Sequence, residues 1–271
     1  MADKFYITTP LYYVNASPHI GHSYTNIIVD SIARFKRLKG FEVFFLTGTD
    51  EHGLKVKQAS EANNLTPQEF VDELVPQFKA LWEKLNISYD DFIRTTEPRH
   101  KETVRKILGI LYEKGDIYLG DYRGFYCTPC ETFWTNMQLK EKTCPECKRP
   151  LEEISEKNYF FKLSKYQSWL IDYINKNPKF IQPGFRTNEM LAFLREPLGD
   201  LCISRPISRL TWGIPLPFSD DHVTYVWFDA LINYASGAGF LTDTVRFSKL
   251  WPADIHMIGK DILRPHCVYW P

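Results

Sequence analysis

The chain has 271 residues, 44% of them hydrophobic and 15% aromatic, with 33 basic and 33 acidic side chains. That composition supports one large or two modest cores and excludes a disordered chain. The zero net charge excludes a global basic field for nucleic acid, so any RNA contact must come from a local patch or from further chain.

No run of about 18 apolar residues is present to cross a membrane. The start, MADKFYITTP, lacks a signal-peptide cleavage site. KFYITT is β-branched and aromatic and predicts a buried strand. After the turn NASP, Ile20 to Lys39 reads as a helix. Ile27, Ile28, Ile32, Phe35 and Leu38 recur at helical spacing, and Gly40 is a natural stop. EVFFL is the next expected strand, TGTDEHG a loop, and a helix begins near Leu54. Thr66-Pro67 opens another helix with a cap residue and a proline in its first turn. DDFIRT reads as a third strand, and Pro98 to Lys114 as a helix ended by Gly115. This alternation predicts an α/β fold with a doubly wound parallel sheet. Ligands bind beyond the carboxyl ends of such strands, where NASPHIGH and TGTDEHG both fall.

The pattern changes after Gly115. GDIYLGDYRGFYCTPCETFW is rich in glycine and aromatics and suggests hairpins around cysteine pairs. Helices return near Ser164 to Asn175 and Thr187 to Arg195. TYVWFDALINYASGAGF predicts a strand entering a helix. DIHMIGKDI repeats that pattern, as though the first sheet resumed. The expected organisation is a sheet split by an insertion: residues 1–115, the insertion at 116–222, and the resumed sheet at 223–271. The strands before Leu11 and Ile262 should then be neighbours.

His19-Ile20-Gly21-His22 sits where a strand turns into a helix. Free backbone N–H groups there attract anions, and two imidazoles three apart share one side of the first turn. Glycine allows close backbone approach, so the group suits a phosphate; the bland alternative is two surface histidines at a helix start. Asp50, after the second strand, could hold an ammonium group or a ribose, or simply belong to a polar loop. Cys127-x-x-Cys130 and Cys144-x-x-Cys147 have the spacing of a tetrahedral thiolate site. Four thiolates leave a metal no open position, so this site is structural. With no secretory signal, metal is favoured over disulfides, and a cytoplasmic setting is expected. Cys202 and Cys267 stand alone as expected core residues. Trp227, Ala230, Leu231 and Tyr234 share a helical face and read either as core or as pocket. Gly259-Lys260-Asp261-Ile262 follows another expected strand and offers a close approach, an ammonium and a carboxylate, which fits a nucleotide or an ordinary turn.

In this order, PLYYVNASPHIGH, LTGTDEHG, the paired cysteines, ISRPISRLTWGIPLP, YVWFDALINY and HMIGKDILRPH resemble the methionyl-tRNA synthetases, a family of class I aminoacyl-tRNA synthetases, over essentially the whole chain. The resemblance implies a Rossmann-type nucleotide-binding sheet split by a connective domain with zinc knuckles. It implies methionine activation by ATP to methionyl-adenylate, then transfer to tRNA(Met). By position, His19, Gly21 and His22 would meet the ATP phosphates, with the two histidines acting as the carboxylate attacks. Gly259 and Asp261 would hold the ribose, and Lys260 would assist at the phosphates. Asp50 would take the substrate ammonium. Leu11, Tyr13, Trp227, Ala230, Leu231, Tyr234, Ile262 and His266 would form one closed methionine pocket, with His266 or the Tyr13 hydroxyl giving the sulfur a weak hydrogen bond. One structural Zn2+ per chain and Mg2+ with ATP are implied. The insertion houses the zinc unit and leaves no room for a full editing domain.

The family's Lys-Met-Ser-Lys-Ser loop is absent and would follow Pro271, so the chain is expected to be an amino-terminal portion whose activity alone is in question. Two other readings stay open: another class I synthetase or nucleotidyltransferase, and an inactive zinc-ribbon fragment that binds RNA.

Overall fold

The computed structural model describes residues 3–128, 130, 132–134, 139, 143–145 and 147–271, without the side chains of Thr132 and Phe133. Strand β1 (Lys4–Thr8) continues after a short break as β2 (Tyr12–Tyr13), and helix α1 (Ile20–Leu38) follows. Next come β3 (Glu42–Asp50), α2 (Leu54–Ala62), α3 (Pro67–Lys84), β4 (Asp91–Arg94) and α4 (Pro98–Glu113). The start of α3 is a capping box, with Thr66 and Glu69 each satisfying the other's backbone N–H.

The middle of the chain builds a separate antiparallel sheet. β5 (Ile117–Cys127) pairs with β7 (Glu152–Phe161) from Ile117↔Phe161 to Tyr126↔Glu152, with β6 (Thr132–Trp134) and β8 (Leu201–Cys202) on the flanks. Helices α5 (Gln167–Lys176) and α6 (Gly184–Phe193) lie between β7 and β8 in sequence. A two-stranded ribbon, β9 (Ser204–Pro206) with β10 (His222–Thr224), leads back to α7 (Val226–Leu231), α8 (Asn233–Ala238), α9 (Thr244–Leu250) and β11 (Ile255–His256).

β11 pairs in parallel with β1, through Ile7↔Ile255 and Thr8↔His256. β1 pairs on its other edge with β3, from Lys4↔Glu42 to Thr8↔Leu46, and β4 lies beyond β3. The spatial order is therefore third, second, first, fourth, which is that of a Rossmann-type sheet. Its strand order reverses between β1 and β11. The two faces follow the period of two expected of strands. Phe5, Ile7 and Phe45 join Val29, Ala33, Phe78 and Trp82 in one core, while Tyr6, Phe44, Leu46 and Ile93 pack with Ala238, Phe247 and Trp251 in another.

Several sequence expectations are corrected. TGTD is not loop but the second half of β3. Thr47 to Asp50 are buried, paired on one edge with β2 and on the other with β4. TYVW is not a strand of the parallel sheet: pairing stops at Thr224, the ribbon is antiparallel, and the helix begins at Val226. α6 starts three residues earlier than expected, and α5 begins with a 3-10 turn at Leu163–Tyr166. The inward face of α1 differs from the apolar spacing, of which only Ile28 and Ile32 are half-buried. Ile27, Phe35 and Leu38 are exposed, while Asn26, Val29, Asp30 and Ala33 face inward. The buried polar pair is held by specific bonds that apolar periodicity does not register: Asn26 Nδ2 donates to Tyr12 Oη at 2.6 Å, and Asp30 accepts from the Ser88 N–H at 2.7 Å.

Gly48 shows how tightly β3 and β4 approach. A Cβ at that position would stand 1.9 Å from the Ile93 carbonyl oxygen, a backbone atom with nowhere to go. Gly48→Ala should displace β4 and lower stability by about 1–3 kcal/mol, the usual range for overpacking. Urea unfolding of the variant beside the parent checks this, and an unchanged midpoint would refute it.

Candidate active site

The end of β2 and the start of α1 set out the first group of residues. His19 is the N-cap of α1, and its Nδ1 accepts the Gly21 N–H at 3.1 Å. His22 Nδ1 accepts the His19 N–H at 3.1 Å. The two rings stack with centroids 3.8 Å apart. An imidazole whose Nδ1 accepts carries its proton on Nε2, so each ring keeps one N–H for a further partner. Burial, with the neighbouring His19, lowers His22 to about 4, so its ring is neutral near pH 7. Gly21 has a use the sequence did not reveal. A Cβ there would come within 2.9 Å of His19 Cε1, so its absence makes room for the capping ring itself.

The second group meets at the switch point. A cavity of about 280 Å³ is lined by Leu11, Tyr13, Asp50, Trp227, Ala230, Leu231, Tyr234, Ile262 and His266, together with Asp261. β2 and β3 place Tyr13 opposite Asp50 in register, and α7 and α8 contribute the Trp227 to Tyr234 wall. Ile262 ends the 3-10 turn Lys260–Ile262 that follows β11, and His266 sits on a π-helical turn just after it. His19, Gly21, His22, Gly259 and Lys260 are not part of this lining. They occupy turns and a helix start after the neighbouring strands β1 and β11, where all but the half-buried His22 are exposed. Gly259 is tied to Asp261, since a Cβ on it would stand 2.5 Å from the Asp261 Oδ1.

Asp50 and its neighbour Glu51 are both buried but turn to different tasks. Glu51 is consumed by structure: Arg94 grips both its oxygens at 2.7 and 2.9 Å, and Thr49 and Thr96 donate to it. Asp50 instead lines the cavity. His266 corrects one expectation. Its Nδ1 lies 2.8 Å from the Ile262 carbonyl, which only accepts, so Nδ1 carries the proton. Burial lowers the ring to about 4, and its Nε2 then accepts from Tyr234 Oη at 2.7 Å. Both nitrogens are thus engaged, and His266 has no N–H left for a ligand sulfur.

Lys55, Asn233, Pro10, Val226 and Cys130 also line the cavity, and sequence reading missed them. Lys55 stands in the first turn of α2, its ammonium 5.4 Å from the Tyr13 ring centroid. Its closeness in sequence to Asp50 was the available signal. Asn233 adjoins Tyr234 on α8 and could have been found the same way. Cys130 carried no such signal, because it reaches the cavity from the insertion.

Among the described residues, Cys127, Cys130, Cys144 and Cys147 form one group of potential metal ligands, with all four sulfurs within 4.8 Å of one another. None is in a disulfide. Cys127 and Cys147 Sγ are 3.5 Å apart, and Cys130 and Cys144 Sγ 3.9 Å. A tetrahedron with metal–sulfur bonds of about 2.3 Å has edges of about 3.8 Å, so the four thiols fit one metal ion.

The neutral His266 predicts an acid-side stability loss. An unfolded imidazole titrates at about 6.5, whereas the folded ring stays neutral down to about 4. As pH falls through that window the unfolded chain takes up a proton that the folded chain refuses. The stability present above pH 6.5 is therefore lost at about 1.4 kcal/mol per pH unit from this group. Urea unfolding at pH 7 and pH 5 should show lower stability at pH 5, and His266→Gln should narrow the gap. An equal gap in the variant would refute the assignment.

The chain matches the family model described as tRNA synthetases class I (M), over residues 5–155 and 150–271. It is 55% identical over 269 residues to a methionine–tRNA ligase of Clostridium tetani, covering 98% of this chain and 42% of that protein. It is 52% identical to a methionine–tRNA ligase of Thermotoga maritima, covering 99% of this chain and 43% of that protein. The chain thus spans less than half the length of these curated relatives. Its fold superposes on Mycobacterium tuberculosis methionyl-tRNA synthetase in complex with methionyl-adenylate with a TM-score of 0.94 and 45% identity, covering 99% of this chain and 53% of that one. The apo form of the M. tuberculosis enzyme gives a TM-score of 0.81 at 43% identity, covering all of this chain and 53% of that one. With its Rossmann-type strand order, its histidine-capped first helix and its four-cysteine cluster, the chain belongs to the class I (M) family of tRNA synthetases.

Proposed function

We propose that the chain is the amino-acid-activating portion of a methionine–tRNA ligase. The observation that carries this reading is the cavity at the switch point. It has aromatic and aliphatic walls and one buried carboxylate, Asp50, at the end of β3. A thioether is apolar and polarizable and suits such walls. Asp50 takes the methionine ammonium, and Lys55 supplies positive charge for its carboxylate. A methionine carboxylate oxygen attacks the ATP α-phosphorus, the bond to pyrophosphate breaks, and methionyl-adenylate forms. His19 and His22 donate from Nε2 to phosphate oxygens as charge builds there. These preorganised hydrogen bonds stabilise the growing charge without a proton transfer. Gly259 and Asp261 hold the ribose, and Lys260 lies by the phosphates. Mg2+ accompanies ATP as substrate. The adenylate then passes methionine to tRNA(Met).

The same reading divides the chain into a first catalytic segment at 1–115, a connective insertion at 116–222 and the resumed catalytic segment at 223–271. The metal of the four-cysteine site is taken as zinc, one per chain, with a structural role. Thiolate ligation suits a reducing compartment, and the cytoplasm is taken as the place of action. Metal analysis of the purified protein should find one zinc per chain, lost on Cys144→Ser together with thermal stability. A metal-free protein of full stability would refute it.

The function is tested by ATP–pyrophosphate exchange in the full-length protein against a panel of amino acids. Methionine should support exchange and leucine should not. Exchange with a different amino acid would assign another class I synthetase, and no exchange with any would favour an inactive RNA-binding protein. In the same assay His22→Ala should slow adenylate formation roughly a hundredfold or more, about 3 kcal/mol, with much less effect on methionine binding. A near-normal rate would remove the phosphate role.

A further inference from the structure

Behind the cavity wall, away from the ligand side, lies a buried polar cluster that none of the proposed chemistry uses. Asp229 is on α7 and is fully buried. Its Oδ2 lies 2.6 Å from His52 Nδ1, and its Oδ1 2.7 Å from His100 Nε2. His100 Nδ1 in turn meets Ser236 Oγ at 2.8 Å. Four segments converge on this one carboxylate: the loop after β3, the first turn of α4, α7 itself, and α8 through Ser236.

The placement is selective. At 3.6 residues per turn, Asp229 stands about 200° around the helix from Trp227, so the two side chains leave α7 on opposite sides, and Asp229 is not part of the cavity lining. His52 follows Asp50, the last residue of β3, by two positions, in the short segment that leads into α2. That segment is pinned from above as well: Trp212 packs on the His52 ring at 5.2 Å, donates from Nε1 to the Glu51 carbonyl, and accepts the Gly53 N–H at its own carbonyl at 3.2 Å. The cluster therefore spans from the carrier of Asp50 to the carrier of Trp227, Ala230 and Leu231, the two walls between which an amino acid would sit. The carboxylate is held ionised. Burial opposes its charge, but the two imidazoles outweigh that and lower it to about 2. A buried carboxylate meeting two ring N–H donors is a stiff joint, because loosening either bond leaves a charge unsolvated.

We propose that Asp229 is a positioning residue that sets the width of the amino-acid cavity by clamping α7, through His52, to the segment that continues β3 beyond Asp50 and, through His100, to α4. This rests on the methionine-activating reading above. The clamp acts on the amino-acid side alone. His19 and His22, on α1, have no bond to it, so ATP recognition is independent of it.

The test is steady-state ATP–pyrophosphate exchange in the full-length protein, with the active-site fraction titrated for each variant. Asp229→Asn turns an amide group toward two ring N–H donors that a carboxylate satisfied. It should raise KM for methionine on the order of tenfold, consistent with the sensitivity of reaction geometry to small displacements. KM for ATP should stay within about twofold on the same grounds. Two pairs of milder variants test the joint should Asp229→Asn fold poorly. An asparagine amide can mimic the Nδ1–H of His52, and a glutamine amide the Nε2–H of His100. His52→Asn and His100→Gln should therefore keep near-normal KM for methionine, while His52→Ala and His100→Ala should raise it. A merely structural role would lower the active fraction or the melting temperature and leave both KM values unchanged, and that result would overturn the proposal. So would equal effects on the KM for methionine and for ATP. Absence of methionine-dependent exchange in the parent protein would instead defeat the functional reading, and this role with it.

Discussion

The parallel pairing of β1 between β3 and β11 is the constraint on which the rest depends. The five residues of β1 carry the chain across the sheet, and both flanking strands are in register with them through Thr8, which pairs with Leu46 on one side and His256 on the other. Because the strand order reverses there, the segments leaving β1 and β11 diverge and open a crevice at the carboxyl ends. Leu11 and Tyr13 enter it from one side, Ile262 and His266 from the other. Residues about 250 positions apart in sequence become neighbours because two strands share hydrogen bonds.

The crevice is furnished by polar groups whose protons are already committed. His266 donates to a carbonyl and accepts from Tyr234, whose own carbonyl accepts from Tyr6. Glu51 is spent on Arg94 and Asp229 on two histidines, while His19 and His22 turn their Nδ1 atoms to the backbone. Such commitments are costly to break in a buried setting, which holds rings and carboxylates in one orientation. They also separate groups that serve the fold from groups that can serve a ligand. Asp50 lines the cavity while the adjacent Glu51 does not, a division invisible in the letters Asp-Glu-His-Gly.

Apolar periodicity failed where burial was polar or crowded. Apolar spacing in α1 runs through Ile27, Ile28, Ile32, Phe35 and Leu38, of which only Ile28 and Ile32 are half-buried, while the inward face carries Asn26 and Asp30, buried because Tyr12 and Ser88 satisfy them. TGTD is polar and contains glycine, features common in loops. It is strand because Thr47 and Thr49 suit an extended backbone and Gly48 alone fits against Ile93. Lys55 and Asn233 line the cavity from positions near Asp50 and Tyr234 in sequence that motif spacing does not mark.

The sequence by itself determined what is written in local spacing. The alternation of strand and helix set the fold class, Cys-x-x-Cys twice set a four-thiol site, and histidines at a strand-to-helix turn marked the start of α1. Each depends on residues a few positions apart, which backbone geometry brings together. Only the tertiary structure decided which distant groups share a space and which way their protons point. It brought Cys130 of the insertion to the cavity, engaged both nitrogens of His266, and joined His52, His100 and Asp229 into one buried joint. These depend on strand register and side-chain packing across the whole chain, which no short stretch of residues encodes.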